Sequence, residues 1–215
     1  MNKIVLFDLD GTLLDTSEGI FTTARYTGGK LGLNDVEDEK LKGFVGPPLP
    51  EAFRVVYDIE ESLLEEAMEI YKEHYDKEGG MYKAKVYDGI VDVLKTLTSK
   101  NYILAVATLK TENLAKDILG HFGLKDYFTI ISGANEENSL TKADIIENAI
   151  AQLPKQEQNR VVLIGDTPHD CHGSKKVGID FIAVSWGFGT FDSSLDQQEH
   201  LIAKVDQPNE LLNYL

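Results

Sequence analysis

Short apolar runs punctuate the chain at Ile4–Phe7 (IVLF), 102–107 (YILAVA), 128–132 (FTIIS), Val161–Gly165 (VVLIG) and 181–185 (FIAVS). They are largely apolar throughout and do not alternate, as in strands buried on both faces of a parallel sheet. Between the later runs the apolar residues recur at helical spacing. Ile90, Val91, Leu94 and Leu97 form one such stripe, and Leu114, Ile118 and Leu119 another. A further helix is predicted to start at Thr141 and carry Ile145, Ala149 and Leu153. Strands alternating with helices imply βαβ units, hence an α/β fold with a parallel sheet and helices on both faces.

Residues 15–83 break this rhythm. They hold no convincing strand, and the stretch 62–75 places Leu63, Ala67, Ile70, Tyr71 and His74 or Tyr75 on one helical stripe. Gly46-Pro47-Pro48 interrupts the region before a further helical stretch, Leu49–Tyr57. The division expected is a core of residues 1–14 and 84–215 and an inserted all-helical domain of residues 15–83. Extra helices packed directly on the sheet are the alternative.

Composition narrows the function. With 36 Asp+Glu against 21 Lys+Arg, the net charge is −15. A basic footprint for nucleic acid is therefore not expected, and any site for an anion must be positive only locally. The single cysteine, Cys171, excludes an intrachain disulfide. The first apolar run is short and broken by Asp8 and Asp10, unlike a secretory signal. No run is long enough to span a membrane. A soluble cytoplasmic protein is expected, without nucleic-acid or membrane partners.

Four polar signals follow apolar runs, where open α/β sheets place their ligands. The first is Asp8-Leu9-Asp10-Gly11-Thr12. Two carboxylates at i and i+2 at a strand end can converge, and they repel unless a cation or proton lies between them. Mg²⁺ suits such a pair because it takes oxygen ligands from carboxylates, water and phosphate. The second is Thr108-Leu109-Lys110, where a hydroxyl and free backbone amides could hold phosphate oxygens; Thr108 as an N-cap-like residue is the plainer alternative. The third is Lys142, placed against the dipole at a helix start, which a buried anionic site would explain; a solvated lysine is the plainer alternative. The fourth is Gly165-Asp166-Thr167-Pro168-His169-Asp170, whose carboxylates could complete a metal's oxygen shell; an Asp-Pro turn plus a helix cap is the alternative.

In this order the four segments resemble the motifs of the haloacid dehalogenase-like hydrolase superfamily, and the resemblance covers essentially the whole chain. Within it, Gly46-Pro47-Pro48-Leu49, Val86-Tyr87-Asp88-Gly89-Ile90 and Trp186-Gly187-Phe188-Gly189 resemble the phosphoglycolate phosphatase branch, with its pyrophosphatase and 5′-nucleotidase relatives. The resemblance implies a Rossmann-like core whose strand order runs Phe181, Val161, Ile4, Tyr102, Phe128, and a helical cap. It implies a Mg²⁺-dependent phosphatase acting through an aspartyl-phosphate. Asp8 would be the nucleophile and Asp10 the acid and base. Thr108, Leu109 (by its backbone amide) and Lys142 would hold the phosphoryl group. Mg²⁺ would be bound by Asp8, Asp10 (through its carbonyl), Asp166 and Asp170. The substrate would be a small phosphorylated metabolite of the phosphoglycolate or nucleoside monophosphate class, and the protein a monomer or weak homodimer.

Leu109 departs from the small polar residue usual after that threonine, and Lys110 is either a substrate contact or a solvated helix-start residue. His121, His169 and His172 lack the spacing of a zinc site, Cys171 is expected to pack, and so is Trp186 under a loop, a place near the substrate being the alternative. The presence of Asp10 disfavours a dehalogenase. A phosphomutase shares Asp8 and Asp10 and remains open. A phosphoacceptor signalling module would be shorter and would lack the helical insertion.

Overall fold

A computed structural model describes residues 4–153, 160–189 and 200–215. The apolar runs form strands: β1 (Ile4–Phe7), β4 (Ile103–Thr111), β5 (Ile130–Ala134), β6 (Val161–Gly165) and β7 (Asp180–Val184). The short strands β2 (Leu14–Asp15) and β3 (Lys85–Val86) pair with each other. The main sheet has six parallel strands in the order β5-β4-β1-β6-β7-β8. Strand β1 is central and every residue of it is buried. This is the expected strand order with one addition, β8 (Leu201–Val205). Only Ala203 and Val205 of β8 are buried, so an edge strand with such weak alternation carries little signal in sequence.

The helices of the sheet unit are α5 (Ile90–Ser99), α6 (Glu112–His121), α7 (Lys142–Ala151) and α8 (Pro168–Val177). Ile145, Ile146 and Ala149 of α7 and Cys171 of α8 join one buried cluster with Ile4 and Leu6 of β1 and Leu163 of β6. Cys171 thus packs, as expected, with its sulfur 3.8 Å from His200 Nε2.

One expectation is corrected. Thr108 is not an N-cap-like residue at a helix start. Strand β4 continues through Thr108, Leu109 and Lys110 to Thr111, which is the residue at the N-cap of α6. Pairing with β5 resumes at Thr111↔Ala134 after an irregularity following Ala107. Gly133 permits this, because a Cβ there would lie 2.6 Å from Lys110 O and Glu112 N. Cross-strand pairing overrides the polar sequence that suggested an end.

By its contacts the chain divides into two compact units, one built from residues up to Leu14 and from Val86 onward, the other Asp15–Lys85. The second unit contains α1 (Ser17–Lys30), α2 (Asp38–Leu41), α3 (Leu49–Tyr57) and α4 (Leu64–Lys72), with no strand between β2 and β3. Its centre is aromatic: Phe44 meets Phe53 edge-on and stacks on Tyr71, which stacks on Tyr75. Buried rings at offset or edge geometry bring both area and directional attraction. Among the described residues, no helix is long and apolar enough to cross a membrane.

Candidate active site

The site is assembled by strand ends. Asp8 prolongs β1, its amide donating to Ile164 O of β6 at 2.9 Å. The chain then reverses in a tight loop in which Gly11 N donates to Leu14 O (2.8 Å) and the Leu13 and Leu14 amides donate to Leu9 O (3.0 and 3.1 Å). Gly11 has φ +80°, and a Cβ there would strike the Asp166 carboxylate; both facts require glycine. Strand β6, adjacent to β1, delivers Asp166 directly after Gly165.

Asp170 has two tasks. Its Oδ2 accepts from Thr167 N (3.0 Å) and Thr167 Oγ1 (2.7 Å), closing the capping box of α8. Its Oδ1 lies 2.6 Å from Lys142 Nζ. A Cβ on Gly165 would fall 2.6 Å from Asp170 Oδ2, so glycine makes the approach possible. One oxygen of this side chain therefore caps the helix while the other faces Lys142.

Lys142 is the first residue of α7, whose start is fixed by a Thr141–Asp144 capping box. Its aliphatic stem runs past Gly173 of α8, where a Cβ would come within 2.8 Å of Lys142 Cγ. The ammonium group is buried, its side chain 4% exposed, and it donates to Asp8 Oδ1 at 2.7 Å while facing Asp170. So Asp8, Lys142, Asp166 and Asp170 meet in one buried cluster. Asp8, Asp166 and Asp170 each offer an oxygen within 4.8 Å of the others.

The cluster is short of positive charge. Among the described residues three carboxylates gather here, and one ammonium, that of Lys142, contacts two of them. Burial, with the nearby Asp170 and Asp166 charges, lifts the Asp8 carboxyl well above the usual range despite Lys142. Burial and Asp170 likewise push Asp166 up to about 7, against hydrogen bonds from Phe188, Gly189 and Thr12. The Lys142 ammonium is raised by Asp170 and Asp8, which outweigh its desolvation. Asp170 Oδ1 is close to Lys142 yet accepts no hydrogen bond of good geometry among the described residues. An excess of two negative charges and a buried oxygen without an aligned donor fit a divalent cation taking oxygen ligands.

This has a consequence for stability. An acid whose pKa is raised by folding binds its proton more tightly in the native state, so stability falls as pH rises from the ordinary carboxylate range to about 7. Metal-free protein is expected to melt at least about 5 °C lower at pH 8 than at pH 5. Calorimetry in chelator checks this, and Asp166→Asn should flatten the profile. A Tm that rises over that interval contradicts it.

The remaining sequence candidates lie outside the group of Asp8, Asp166 and Asp170. Asp10 Oδ2 is 3.4 Å from Lys110 Nζ, with the side chains 11% and 10% exposed. Lys110 is thus neither solvated nor at a helix start. Thr108 is buried and its Oγ1 accepts from Lys110 N at 3.2 Å. The Leu109 side chain packs against the hydrophobic core. His121, His169 and His172 belong to no metal-ligand cluster among the described residues. Trp186 donates from Nε1 to Thr12 O at 3.2 Å and meets Tyr87 edge-on. Thr12, whose Oγ1 donates to Asp166 Oδ1 at 3.2 Å, was within the first segment but without an expected task. The glycines around Trp186 and Phe188 were the signal that something is closely approached there.

A central parallel strand followed by Asp8, flanked by a strand followed by Asp166 and served by Lys142 from a later helix, defines a class. The chain belongs to the haloacid dehalogenase-like hydrolase family, whose model matches residues 5–184. Among its relatives is the tyrosine-protein kinase PtkA of Mycobacterium tuberculosis, 38% identical over 191 residues, 88% of this chain and 64% of that protein. The chain thus spans less than two thirds of that relative. A 5′-nucleotidase of Pseudomonas aeruginosa is 32% identical over 188 residues, covering 87% of this chain and 85% of the other. Among solved structures, a haloacid dehalogenase-like family hydrolase from Streptococcus pneumoniae superposes with a TM-score of 0.88 at 32% identity, over 99% of this chain and 98% of the other.

Proposed function

We propose that the protein is a Mg²⁺-dependent phosphatase that hydrolyses a small phosphate monoester through an aspartyl-phosphate on Asp8. The observation that carries this reading is the Asp8 carboxylate, buried at the end of the central strand and held at 2.7 Å by Lys142 beside Asp166 and Asp170. A carboxylate so fixed is presented for in-line attack in a single orientation.

In the first step an Asp8 oxygen bonds to phosphorus as the bond to the ester oxygen breaks. Asp10 donates its proton to the departing oxygen. In the second step Asp10 takes a proton from water, the water oxygen bonds to phosphorus, and the bond to Asp8 breaks, releasing phosphate. Lys142 offsets the charge that builds on the phosphoryl oxygens, with the Thr108 hydroxyl and the Leu109 amide as further donors. Lys110, at 3.4 Å, holds the Asp10 carboxylate. A Mg²⁺ held by Asp8, Asp166, Asp170 and the Asp10 carbonyl would supply further positive charge against those oxygens.

The helical unit is read as the family's cap, which favours small esters, and phosphatase-named relatives include a phosphoglycolate phosphatase of Aquifex aeolicus, 28% identical. The test is phosphate release from a panel of small esters, phosphoglycolate and nucleoside monophosphates among them, with and without Mg²⁺. A folded phosphoprotein and ATP with a tyrosine peptide serve as comparisons, the latter because one relative bears a kinase name. Multiple turnovers on a small ester support the reading. Phosphoryl transfer back to product identifies a mutase, and transfer from ATP to tyrosine without hydrolysis overturns the proposal.

The role of Asp10 gives a finer expectation. Asp10→Asn should slow hydrolysis of alkyl phosphates by roughly 10²–10⁴-fold. The effect on formation of the aspartyl-phosphate should be much smaller with p-nitrophenyl phosphate, whose leaving group needs no proton. Equal loss on both substrates in single-turnover measurements would remove Asp10 from its role as proton donor.

A further inference from the structure

Asp166 is fully buried and closely confined. Its Oδ2 accepts from Phe188 N (2.8 Å) and Gly189 N (3.4 Å), and its Oδ1 accepts from Thr12 Oγ1 (3.2 Å). Two loops supply these donors, one after β1 and one after β7. Cβ atoms at Gly11 and Gly187 would collide with the carboxylate, and one at Gly189 with the Asp166 main chain. The loops close around Asp166 because three positions lack side chains. Trp186 joins the two loops, its indole N–H donating to the carbonyl of Thr12 at 3.2 Å. Thr12 is fully buried, and its hydroxyl points to Asp166 Oδ1. The Trp186 ring is braced edge-on by Tyr87, centroids 6.4 Å apart.

We propose that Trp186 is a positioning residue for the cation site, tying down the Thr12 loop so that the Thr12 hydroxyl fixes the orientation of the Asp166 carboxylate. This rests on the reading that Asp8, Asp166 and Asp170 hold a divalent cation. A carboxylate aimed before the ion arrives binds it more tightly than one that must be ordered on binding. Phe188 N and Gly189 N alone restrain one oxygen; the Thr12 hydroxyl restrains the other and so sets the twist of the group.

The probe is Mn²⁺ alone, with binding followed by the electron paramagnetic resonance of the free ion and no substrate present. Wild-type protein that binds no Mn²⁺ overturns the cation reading itself. If wild type binds, Trp186→Phe, which keeps a ring against Tyr87 and loses the donor, should weaken affinity roughly tenfold. Its metal-free Tm should stay close to wild type. Thr12→Val should weaken affinity by a similar factor, and the double variant no further, because both act through one hydrogen bond to Asp166. Unchanged affinity in Trp186→Phe, or full additivity in the double variant, overturns the inference. Should Trp186→Phe fail to fold, Thr12→Val decides: it removes the hydroxyl that Trp186 is proposed to hold in place, and unchanged Mn²⁺ affinity in that variant overturns the inference.

Discussion

Asp8→Asn should lower phosphate release by at least about 10⁴-fold, with Tm unchanged or raised. The amide cannot attack phosphorus, so the loss is of the chemical step and not of binding. Stability behaves differently from activity because of the charge count in the cluster. Asp8 is lifted well above the usual carboxylate range by burial and by Asp170 and Asp166. Its ionised form is therefore held at a cost in the metal-free protein at neutral pH, which the substitution removes. Lys142 keeps Asp170 at 2.6 Å, so its ammonium is not stranded. Melting curves in chelator paired with single-turnover assays check both halves. Appreciable activity in purified Asp8→Asn, with deamidation excluded by mass, contradicts the covalent route; a large loss of Tm contradicts the electrostatic account.

Lys142→Met should have the opposite balance, losing both activity and stability. The ammonium is the one cation placed between Asp8 and Asp170 among the described residues, at 2.7 and 2.6 Å. Methionine fills much of the same channel past Gly173, so packing is largely kept. What remains is three buried carboxylates without a counter-charge, a change that typically costs about 3–5 kcal/mol. For a chain of this length that is on the order of 10 °C in Tm at pH 8. The deficit should shrink at pH 5, where protons replace the lost charge, and shrink again with Mg²⁺ at pH 8. Catalysis should not return with either, because neither restores a donor at the phosphoryl oxygens. A variant as stable as wild type in chelator at pH 8 would show that the cluster is not held together by this lysine.

These two expectations rest on side chains that were recognisable along the chain. Asp8 and Asp10 follow an unbroken apolar run, which favours a buried strand over a surface loop. Lys142 stands out because a cation at a helix start opposes the dipole. Other features were ambiguous for a physical reason. Asp170 could be read as a cap or as a ligand, and in the fold one oxygen caps α8 through Thr167 while the other faces Lys142. Thr108 looked like a helix start, but pairing of β4 with β5 carries the strand on to Thr111. Lys110 could face solvent or site, and only the fold brings it to Asp10.

By itself the sequence determined the alternation of buried strands and amphipathic helices, the order of the strands through its family resemblance, and the acids placed at strand ends. These are local properties, set by periodicity, by the need to pair backbone groups in an apolar layer, and by glycine where the chain must turn. The tertiary structure alone decided which charges face each other. The register of β1 with β6 sets Asp8 beside Asp166. The bare surface of Gly173 admits Lys142 between α7 and α8. The Trp186–Thr12 bond joins loops 174 residues apart in sequence. Coulomb energy and hydrogen bonding depend on distance in space, which sequence separation does not encode.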